Sequence, residues 1–170
     1  MAKVKRKKGK GGYLFFKELG GAPERHELSR TASVLLEADL VKGRVLDYGC
    51  GHGYDADALG WEAWDPQYRP AKPEGLFDTI VVNHVVNILT RGSRKDLFKM
   101  VEALLAEEGS VFISTPRNIP VEGKHGPRHR LQNYVVLDLP SVYRDEKQEI
   151  YQWKKGSPLK DLTKEFEDQF

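Results

Sequence analysis

The sequence predicts a single α/β domain built on a parallel β-sheet, and three observations lead to this prediction. Short apolar segments alternate with segments of helical periodicity through the centre of the 170-residue chain, as they do where helices connect parallel strands. Residues 80–82 form a continuous apolar run, which is typical of a strand buried on both faces. The strand at residues 44–48 runs directly into spaced glycines, and sheets of this kind bind ligands at such positions.

Local patterns predict the elements of the first half of the chain. From Leu28, apolar residues recur at i, i+4, i+7 and i+8, which places them on one face of a first helix. Asp65-Pro66 ends a short strand, and a proline-rich loop follows it. The elements expected after the first helix are a strand at 44–48, a helix at 54–59, a strand at 61–64 and a strand at 77–83.

The clearest helical pattern covers residues 93–107, where apolar side chains repeat at helical spacing. Ser93 and Asp96 resemble a capping box, which satisfies backbone donors at a helix start. Gly109 suits the position after the last turn, because glycine accepts the left-handed conformation found there. We therefore expect this helix to begin at Ser93.

The remaining residues are predicted to close the sheet in antiparallel fashion. A strand is expected at 110–115, followed by a polar loop at 117–130. Residues 132–137 and 148–153 are expected to pair as a C-terminal antiparallel β-ribbon, because both segments have strand-like composition. Residues 158–170 are expected to form a short helix or a frayed end.

Composition narrows the class of protein. Apolar residues make up 39% of the chain and charged residues 31%, as in globular domains. The single cysteine, Cys50, excludes an internal disulfide framework and favours a reducing, cytoplasmic location. No apolar run is long enough to span a bilayer and no signal-peptide pattern is visible, so no membrane partner is expected.

The net charge of +2 hides an uneven distribution. Six of the 27 basic residues lie within residues 3–10, which leaves 21 basic against 25 acidic residues in the rest of the chain. We therefore divide the chain into a basic, disordered arm at 1–12 and a single domain at 13–170. Such arms commonly neutralise phosphates, although a tail that only increases solubility has the same composition.

The glycine loop predicts a ligand with an ammonium group and a ribose. The phosphate-loop pattern is absent, and Asp47 before the glycines repels a phosphate but suits an ammonium group. Asp65 follows the next strand, where a carboxylate can accept both hydrogen bonds of a ribose diol. S-adenosylmethionine fits this description better than a dinucleotide. A looser dinucleotide pattern from Gly51 to Ala56 keeps a dinucleotide open as an alternative.

Residues 44–115 resemble class I S-adenosylmethionine-dependent methyltransferases. The segments LDYGCGxGxD at 46–55, WDPxxRP at 64–70 and NxVxN at 83–87 are similar to small methyltransferases of bacteria and phages, some linked to DNA modification. The resemblance implies a Rossmann-like class I methyltransferase fold. It also implies S-adenosyl-L-methionine as cofactor, held by Asp47, Gly49, Gly51, Gly53, Asp55, Asp65, Pro66, Asn83, His84 and Val85.

Two departures from that family affect the predicted site. Only 12 residues separate Asp65 from Asp78, too few for the usual crossover helix and third strand, so we expect a shortened parallel sheet. The family's adenine-contacting acid is then missing, and Tyr68 or Arg69 is expected to cover the adenine. The motif of amino methyltransferases acting on DNA is also absent, because His84 rather than proline follows the strand, and this weighs against a base amino group as target.

The reaction centre is predicted at residues 83–87. Methyl transfer mainly requires positioning of two partners, and His84 is the candidate general base because its ordinary pKa lies near neutrality. Asn87 is the candidate holder of the acceptor group. The alternatives are that His84 packs on the cofactor and that Asn87 caps a helix or turn. No metal site is expected, since His125 and His129 lack an accompanying cysteine pair.

A basic loop is expected beside this reaction centre. The loop 117–130 follows a strand of the parallel sheet and, with residues 3–10, predicts a cationic rim and a nucleic-acid acceptor. Its charged residues are Arg117, Lys124, Arg128 and Arg130 against Glu122. The alternatives are a small-molecule or protein methyltransferase, a non-catalytic cofactor-binding subunit and an enzyme that degrades the cofactor. A protein partner or a homodimer also stays open.

Overall fold

The computed structural model describes residues 7, 8, 14, 15, 22–126 and 130–164. The arm predicted at 1–12 lies outside these residues except for Lys7 and Lys8, which pair with residues 14 and 15. Arg128, His129 and residues 165–170 also lie outside them. Within the described part of the chain, every helix is too short or too polar to cross a bilayer.

Three helices and ten strands make up the described elements. The helices are α1 (Arg30–Glu37), α2 (Tyr54–Leu59) and α3 (Arg91–Leu104), with one 3-10 turn at Val86–Ile88. The strands are β1 (Lys7–Lys8), β2 (Leu14–Phe15), β3 (Val45–Tyr48), β4 (Glu62–Trp64), β5 (Phe77–Asn83), β6 (Leu105–Pro116), β7 (Lys124–Gly126), β8 (Arg130–Gln132), β9 (Ser141–Arg144) and β10 (Gln148–Lys154).

The central sheet is the predicted shortened one. Its six strands lie in the order β4-β3-β5-β6-β10-β9, with β4, β3, β5 and β6 mutually parallel. Residues 66–76 contain no helix or regular strand, and among the described residues β4 is the edge strand of the sheet. Because the parallel strands share one direction, the loops after β3, β4, β5 and β6 meet at one edge.

The core fills both faces of this sheet. Ile80 and Val82 of β5 are buried in the cluster that contains Val101 of α3. Val81, between them, is buried in a second cluster with Leu35 of α1. The prediction that residues 80–82 are buried on both faces of the sheet is therefore confirmed, because successive side chains of a strand point to opposite faces.

Two predictions about α3 are wrong. Thr90 is the N-cap, its side chain accepting from the backbone N–H of Ser93, so the helix begins two residues before Ser93. The helix ends at Leu104, because residues 105 onward continue directly into β6. The register between β5 and β6 shifts between Phe77 and Thr79, and Gly109 lies in that irregular stretch of β6 instead of after the helix.

The antiparallel ribbon is present, but its first strand was wrongly assigned. Strand β10 pairs with β6 on one side and with β9 on the other, and both pairings are antiparallel. Gln132 pairs instead with Lys124, which makes β7 and β8 a separate hairpin that begins in the polar loop predicted at 117–130. Residues 158–164 run alongside 136–138, with no helix in that stretch.

Candidate active site

The loop after β3 turns through glycines with left-handed backbone. The φ angles are +87° at Gly49, +58° at Gly51 and +87° at Gly53. A Cβ atom on Gly49 would lie 2.6 Å from Cγ2 of Val85, and one on Gly51 would lie 2.6 Å from Cβ of Ala22. The loop therefore approaches two neighbouring segments more closely than any residue with a side chain permits.

Hydrogen bonds join this loop to the end of β4. The backbone N–H groups of Gly49 and Cys50 both donate to the carbonyl oxygen of Trp64, over 2.7 and 3.0 Å. The N–H of Gly51 donates to Oδ2 of Asp65 over 2.9 Å. The two loops that carry the predicted cofactor residues are thus held as one unit.

Asp65 organises its own loop as well. Its Oδ1 accepts hydrogen bonds from the backbone N–H groups of Gln67 and Tyr68, at 2.9 and 3.0 Å. Only 2% of the residue is exposed. A carboxylate offers about four lone-pair positions, so three backbone donors leave room for a ligand hydroxyl.

A cavity of about 600 Å³ opens between these loops. Its volume lies within the range of about 300–1,000 Å³ that small-molecule sites occupy. Ten predicted site residues line it: Asp47, Gly49, Gly51, Gly53, Asp55, Asp65, Asn83, His84, Val85 and Asn87. Pro66 does not line it.

Tyr68 and Arg69, expected over the adenine, lie outside the cavity lining. The ring of Tyr68 stacks on His52, with centroids 4.1 Å apart. The guanidinium of Arg69 pairs with Asp57 and donates to the carbonyl of His52. Both side chains therefore support the glycine loop from its outer side.

Asp47 is buried with an unpaired oxygen. The residue is 4% exposed, and its Oδ1 has no hydrogen-bond partner among the described residues. Burial, with smaller contributions from the charges of Asp55 and Asp65, raises the pKa of Asp47 to about 7, although Arg25 and Arg69 oppose the shift. An unpaired buried acceptor costs about 1–3 kcal/mol, which a ligand ammonium group in the cavity would recover.

Asp55 holds the segment that precedes α1. Its two oxygens accept from the backbone N–H and the hydroxyl of Ser29, at 2.8 and 2.6 Å. Arg25 lies 3.6 Å from the same carboxylate. Because Ser29 is also the N-cap of α1, this contact fixes both the helix start and the cavity wall at residues 22–25. Direct contact of Asp55 with a cofactor stays a prediction.

His84 adopts a left-handed conformation, with a φ of +53°. Its N–H bonds to Ser114, and its Nε2 lies 3.1 Å from Oε1 of Gln148. Burial lowers the pKa of His84; the hydrogen bond that Oε1 of Gln148 accepts opposes this shift, and the charge of Arg25 adds to it. The imidazole is therefore neutral at neutral pH, as a general base must be.

Asn87 lies in the 3-10 turn and does not cap α3, whose N-cap is Thr90. Its Nδ2 donates to Oε1 of Gln132 over 2.7 Å. Its Oδ1 is buried without a partner among the described residues. Asn83, at the end of β5, accepts from the hydroxyl of Ser114 over 2.7 Å.

A second cavity of about 560 Å³ adjoins the first and is bounded by residues 24–31. The two cavities share Arg25, Asn83, His84 and Gln148 in their linings. His84 therefore borders both cavities.

Sequence reasoning missed the two glutamines of this site. Gln132 lies 45 residues from Asn87, and Gln148 lies 64 residues from His84. No local pattern signals contacts over such separations. Lys124, predicted within the basic loop, lines the cavity and is exposed, as is Lys147.

Arg117 does not belong to the predicted cationic rim. Its Nη2 lies 2.7 Å from Glu149 and also donates to the carbonyl of Val135 and the hydroxyl of Tyr151. The side chain is 2% exposed. The prediction failed because β10, which supplies Glu149, packs directly beside the end of β6.

Comparison with known proteins identifies the family. A model described as a methyltransferase domain matches residues 22–155. The chain belongs to the methyltransferase domain family. It is an S-adenosylmethionine-dependent methyltransferase, as the glycine loop and the three motif segments predicted. A comparison with curated protein sequences gives no match.

Solved structures show the fold of this methyltransferase. DhpI in complex with S-adenosylhomocysteine shares 14% identity with a TM-score of 0.53, over 75% of this chain and 84% of that one. The Burkholderia thailandensis 1,6-didemethyltoxoflavin-N1-methyltransferase shares 20% identity with a TM-score of 0.52, over 75% and 78%. A Pyrococcus horikoshii protein shares 12% identity with a TM-score of 0.51, over 72% and 86%. The Rossmann-like methyltransferase fold is confirmed.

Proposed function

We propose that this methyltransferase acts on nucleic acid. The observation that carries the proposal is the composition of the cavity wall away from the glycine loop. There, neutral amides that match the hydrogen-bonding edges of bases stand beside two exposed lysines that suit phosphates. The amides are Asn87, Asn118, Gln132 and Gln148, and the lysines are Lys124 and Lys147.

The geometry of the loops supports a role for two carboxylates in holding the cofactor. Asp47 would hold the ammonium group of the cofactor through Oδ1, which is unpaired among the described residues. Asp65 would accept from one ribose hydroxyl while its contacts with three backbone N–H groups keep the loop closed. Bound S-adenosylmethionine supplies a methyl group that its sulfonium sulfur makes electrophilic. The chain's contribution is to hold both reactants in line and exclude water.

His84 is positioned to take the proton that the acceptor loses. Its neutral ring faces both cavities, and Gln148 fixes the Nε2 side. The second candidate acceptor is a small heterocycle, because the same amides would bind its polar edge. The Burkholderia thailandensis methyltransferase is crystallised with such a compound, 1,6-didemethyltoxoflavin.

A labelling experiment tests the proposal. The protein is incubated with S-adenosylmethionine labelled on its methyl group, together with genomic DNA, total tRNA or a deproteinised small-molecule extract. We expect label in DNA or RNA. Label confined to the small-molecule extract would overturn the nucleic-acid assignment, and S-adenosylhomocysteine binding without any transfer would indicate a cofactor-binding subunit.

Salt dependence supplies a second test. The double variant Lys124→Ala/Lys147→Ala should reduce the slope of log Kd against log salt for nucleic acid by about 2, because each lysine that neutralises a phosphate contributes roughly one to that slope. The matched control is Lys95→Ala/Lys99→Ala, since both residues are exposed on α3 and line neither cavity. An equal slope change in both double variants would contradict a role for the cavity lysines.

A further inference from the structure

We propose that Gln132 orients the amide of Asn87 so that the site selects a methyl acceptor bearing an N–H group. The proposal rests on the methyltransferase function and names the acceptor chemistry of that site. Gln132 acts as a positioning residue. Asn87 is the residue that contacts the acceptor.

The orientation of the Asn87 amide is set by its single side-chain partner. Nδ2 donates to Oε1 of Gln132 over 2.7 Å, so the nitrogen end of the amide points toward β8. The oxygen end is left without a partner among the described residues, on a residue that is 4% exposed and lines the cavity. The amide therefore has an acceptor oxygen that no described donor satisfies, on a residue of the cavity wall where a ligand donor could reach it.

The backbone around Asn87 is fixed by the residue that follows Gln132. The N–H of Asn133 donates to the carbonyl of Asn87 over 2.7 Å. The Nδ2 of Asn133 donates to the carbonyl of Leu89 over 3.0 Å. Asn133 is fully buried, so residues 132 and 133 hold the side chain and the backbone of the turn together.

A buried carbonyl oxygen without a donor selects ligands that supply one. A site built to accept a hydrogen bond rejects analogues that lack the donor, because its own polar atom is then left unpaired. Carbon acceptors and nitrogens without hydrogen offer no such donor. A hydroxyl or a ring N–H has a single hydrogen, which it cannot both donate to Oδ1 and lose to His84. An amino group has two hydrogens, so it satisfies Oδ1 with one and loses the other while its nitrogen lone pair attacks. Asn87 therefore favours a base amino group as acceptor, although the motif of amino methyltransferases acting on DNA is absent.

The reaction balances with groups that the site contains. The acceptor nitrogen forms a bond to the methyl carbon, and the carbon–sulfur bond of the cofactor breaks with its electron pair left on sulfur. The nitrogen loses one proton to the neutral imidazole of His84, which later releases it to solvent. An amino acceptor donates one N–H to Oδ1 of Asn87 and gives up the other.

The test combines one product analysis with two variants of Gln132. The methylated product from DNA, tRNA or the small-molecule extract is hydrolysed and the methyl-bearing atom is identified by mass spectrometry. A methyl group on an amino nitrogen is expected. A methyl group on carbon, oxygen, sulfur or a ring nitrogen would overturn the proposal. Product found only in the small-molecule extract would contradict the nucleic-acid assignment. The methyl-bearing atom of that product would still test the proposal about Asn87 and Gln132.

Gln132→Leu should lower kcat/KM at least tenfold, while the Kd for S-adenosylhomocysteine stays within about twofold. Gln132→Glu keeps an acceptor oxygen for Nδ2 and should retain most of the activity. Gln152→Leu is the matched control, because Gln152 donates to Ser110, which lies outside both linings. Activity of Gln132→Leu equal to that of the control would refute the positioning role.

Nuclear magnetic resonance gives a readout that needs no acceptor. The side-chain NH₂ protons of Asn87 are followed in the 15N-labelled protein. Their exchange with solvent should be at least tenfold faster in Gln132→Leu than in the wild type. Equal exchange rates in the two proteins would show that Gln132 does not orient the amide.

Discussion

Asp47 shows how a single position couples stability to binding. It is the third residue of the buried strand β3, so its carboxylate is removed from water, yet Oδ1 has no donor within the described part of the chain. Burial raises its pKa to about 7. The native protein therefore keeps a proton that the unfolded chain releases between about pH 4 and 7. Its stability falls as the pH rises through that window, and the loss persists above it.

Replacing Asp47 with Asn should therefore stabilise the unliganded protein. The free energy of unfolding should increase by at most about 4 kcal/mol at pH 8 and by close to zero at pH 4. Thermal unfolding at the two pH values measures it, and we expect Tm to rise by about 5 °C or more at pH 8 only. A variant with lower Tm at pH 8 would show that the charge of Asp47 does not destabilise the fold.

His84 provides a titration that can be observed directly. Burial holds its pKa below the ordinary value of 6.5. The variant Gln148→Glu places a carboxylate where the amide oxygen now lies 3.1 Å from Nε2, so the pKa of His84 should rise. The ring-proton chemical shifts of His84, followed against pH, give its pKa in the wild type and in Gln148→Glu. A pKa unchanged by Gln148→Glu would mean that the two side chains are not in contact.

Among the elements, those with strong local signals were predicted from the sequence. Strand β5 and helix α2 match the predicted bounds, because an apolar run and flanking glycines mark them locally. The pairing partner of β10 was missed, since strand composition does not say which strands meet. The predicted site residues gather around one cavity, apart from Pro66, Tyr68 and Arg69. Gln132, Gln148 and the burial of Arg117 depend on contacts distant in sequence.

The glycine loop offers a matched pair of substitutions. Gly49→Ala introduces a Cβ 2.6 Å from Val85 at a φ of +87°, whereas Gly60→Ala meets nothing within 4 Å at a φ of +70°. The second variant measures the backbone cost alone, about 1–2 kcal/mol. Gly49→Ala should cost at least about 1 kcal/mol more, because the side chains must also move apart.

Denaturant unfolding of both glycine variants gives the comparison. Equal losses of unfolding free energy would mean that the loop after β3 and the turn at Val85 are not in close contact. The S-adenosylhomocysteine affinity should fall only in Gly49→Ala, since Gly60 lies outside the cavity lining.

The buried ion pair between Arg117, which follows β6, and Glu149 of β10 is tested by replacing Arg117. Because its guanidinium is buried against Glu149, Arg117→Ala leaves a buried carboxylate without its partner. We expect a loss of about 3–5 kcal/mol in unfolding free energy. The salt dependence of nucleic-acid binding, compared under conditions where the variant is folded, should not change. A smaller slope of log Kd against log salt with an unchanged unfolding free energy would show that Arg117 contacts nucleic acid, as the predicted cationic rim requires.

Viewed as a whole, the molecule gathers its chemistry at one edge of a shortened sheet. Loops from β3, β4 and β5 form the cofactor side, and the hairpin of β7 and β8 together with β10 forms the other side. The part of the chain that the class I resemblance did not cover, beyond residue 115, thus supplies Gln132 and Gln148. The same part supplies both cavity lysines.

The central claim is that Asp47 and the glycine loop hold S-adenosylmethionine. Calorimetric titration with S-adenosylhomocysteine, on the wild type and on Asp47→Ala, tests it most directly. We predict binding to the wild type that tightens from pH 6 to pH 8 as Asp47 ionises, and an affinity at least tenfold weaker in the variant. Equal affinity in the two proteins at pH 8 would contradict the claim.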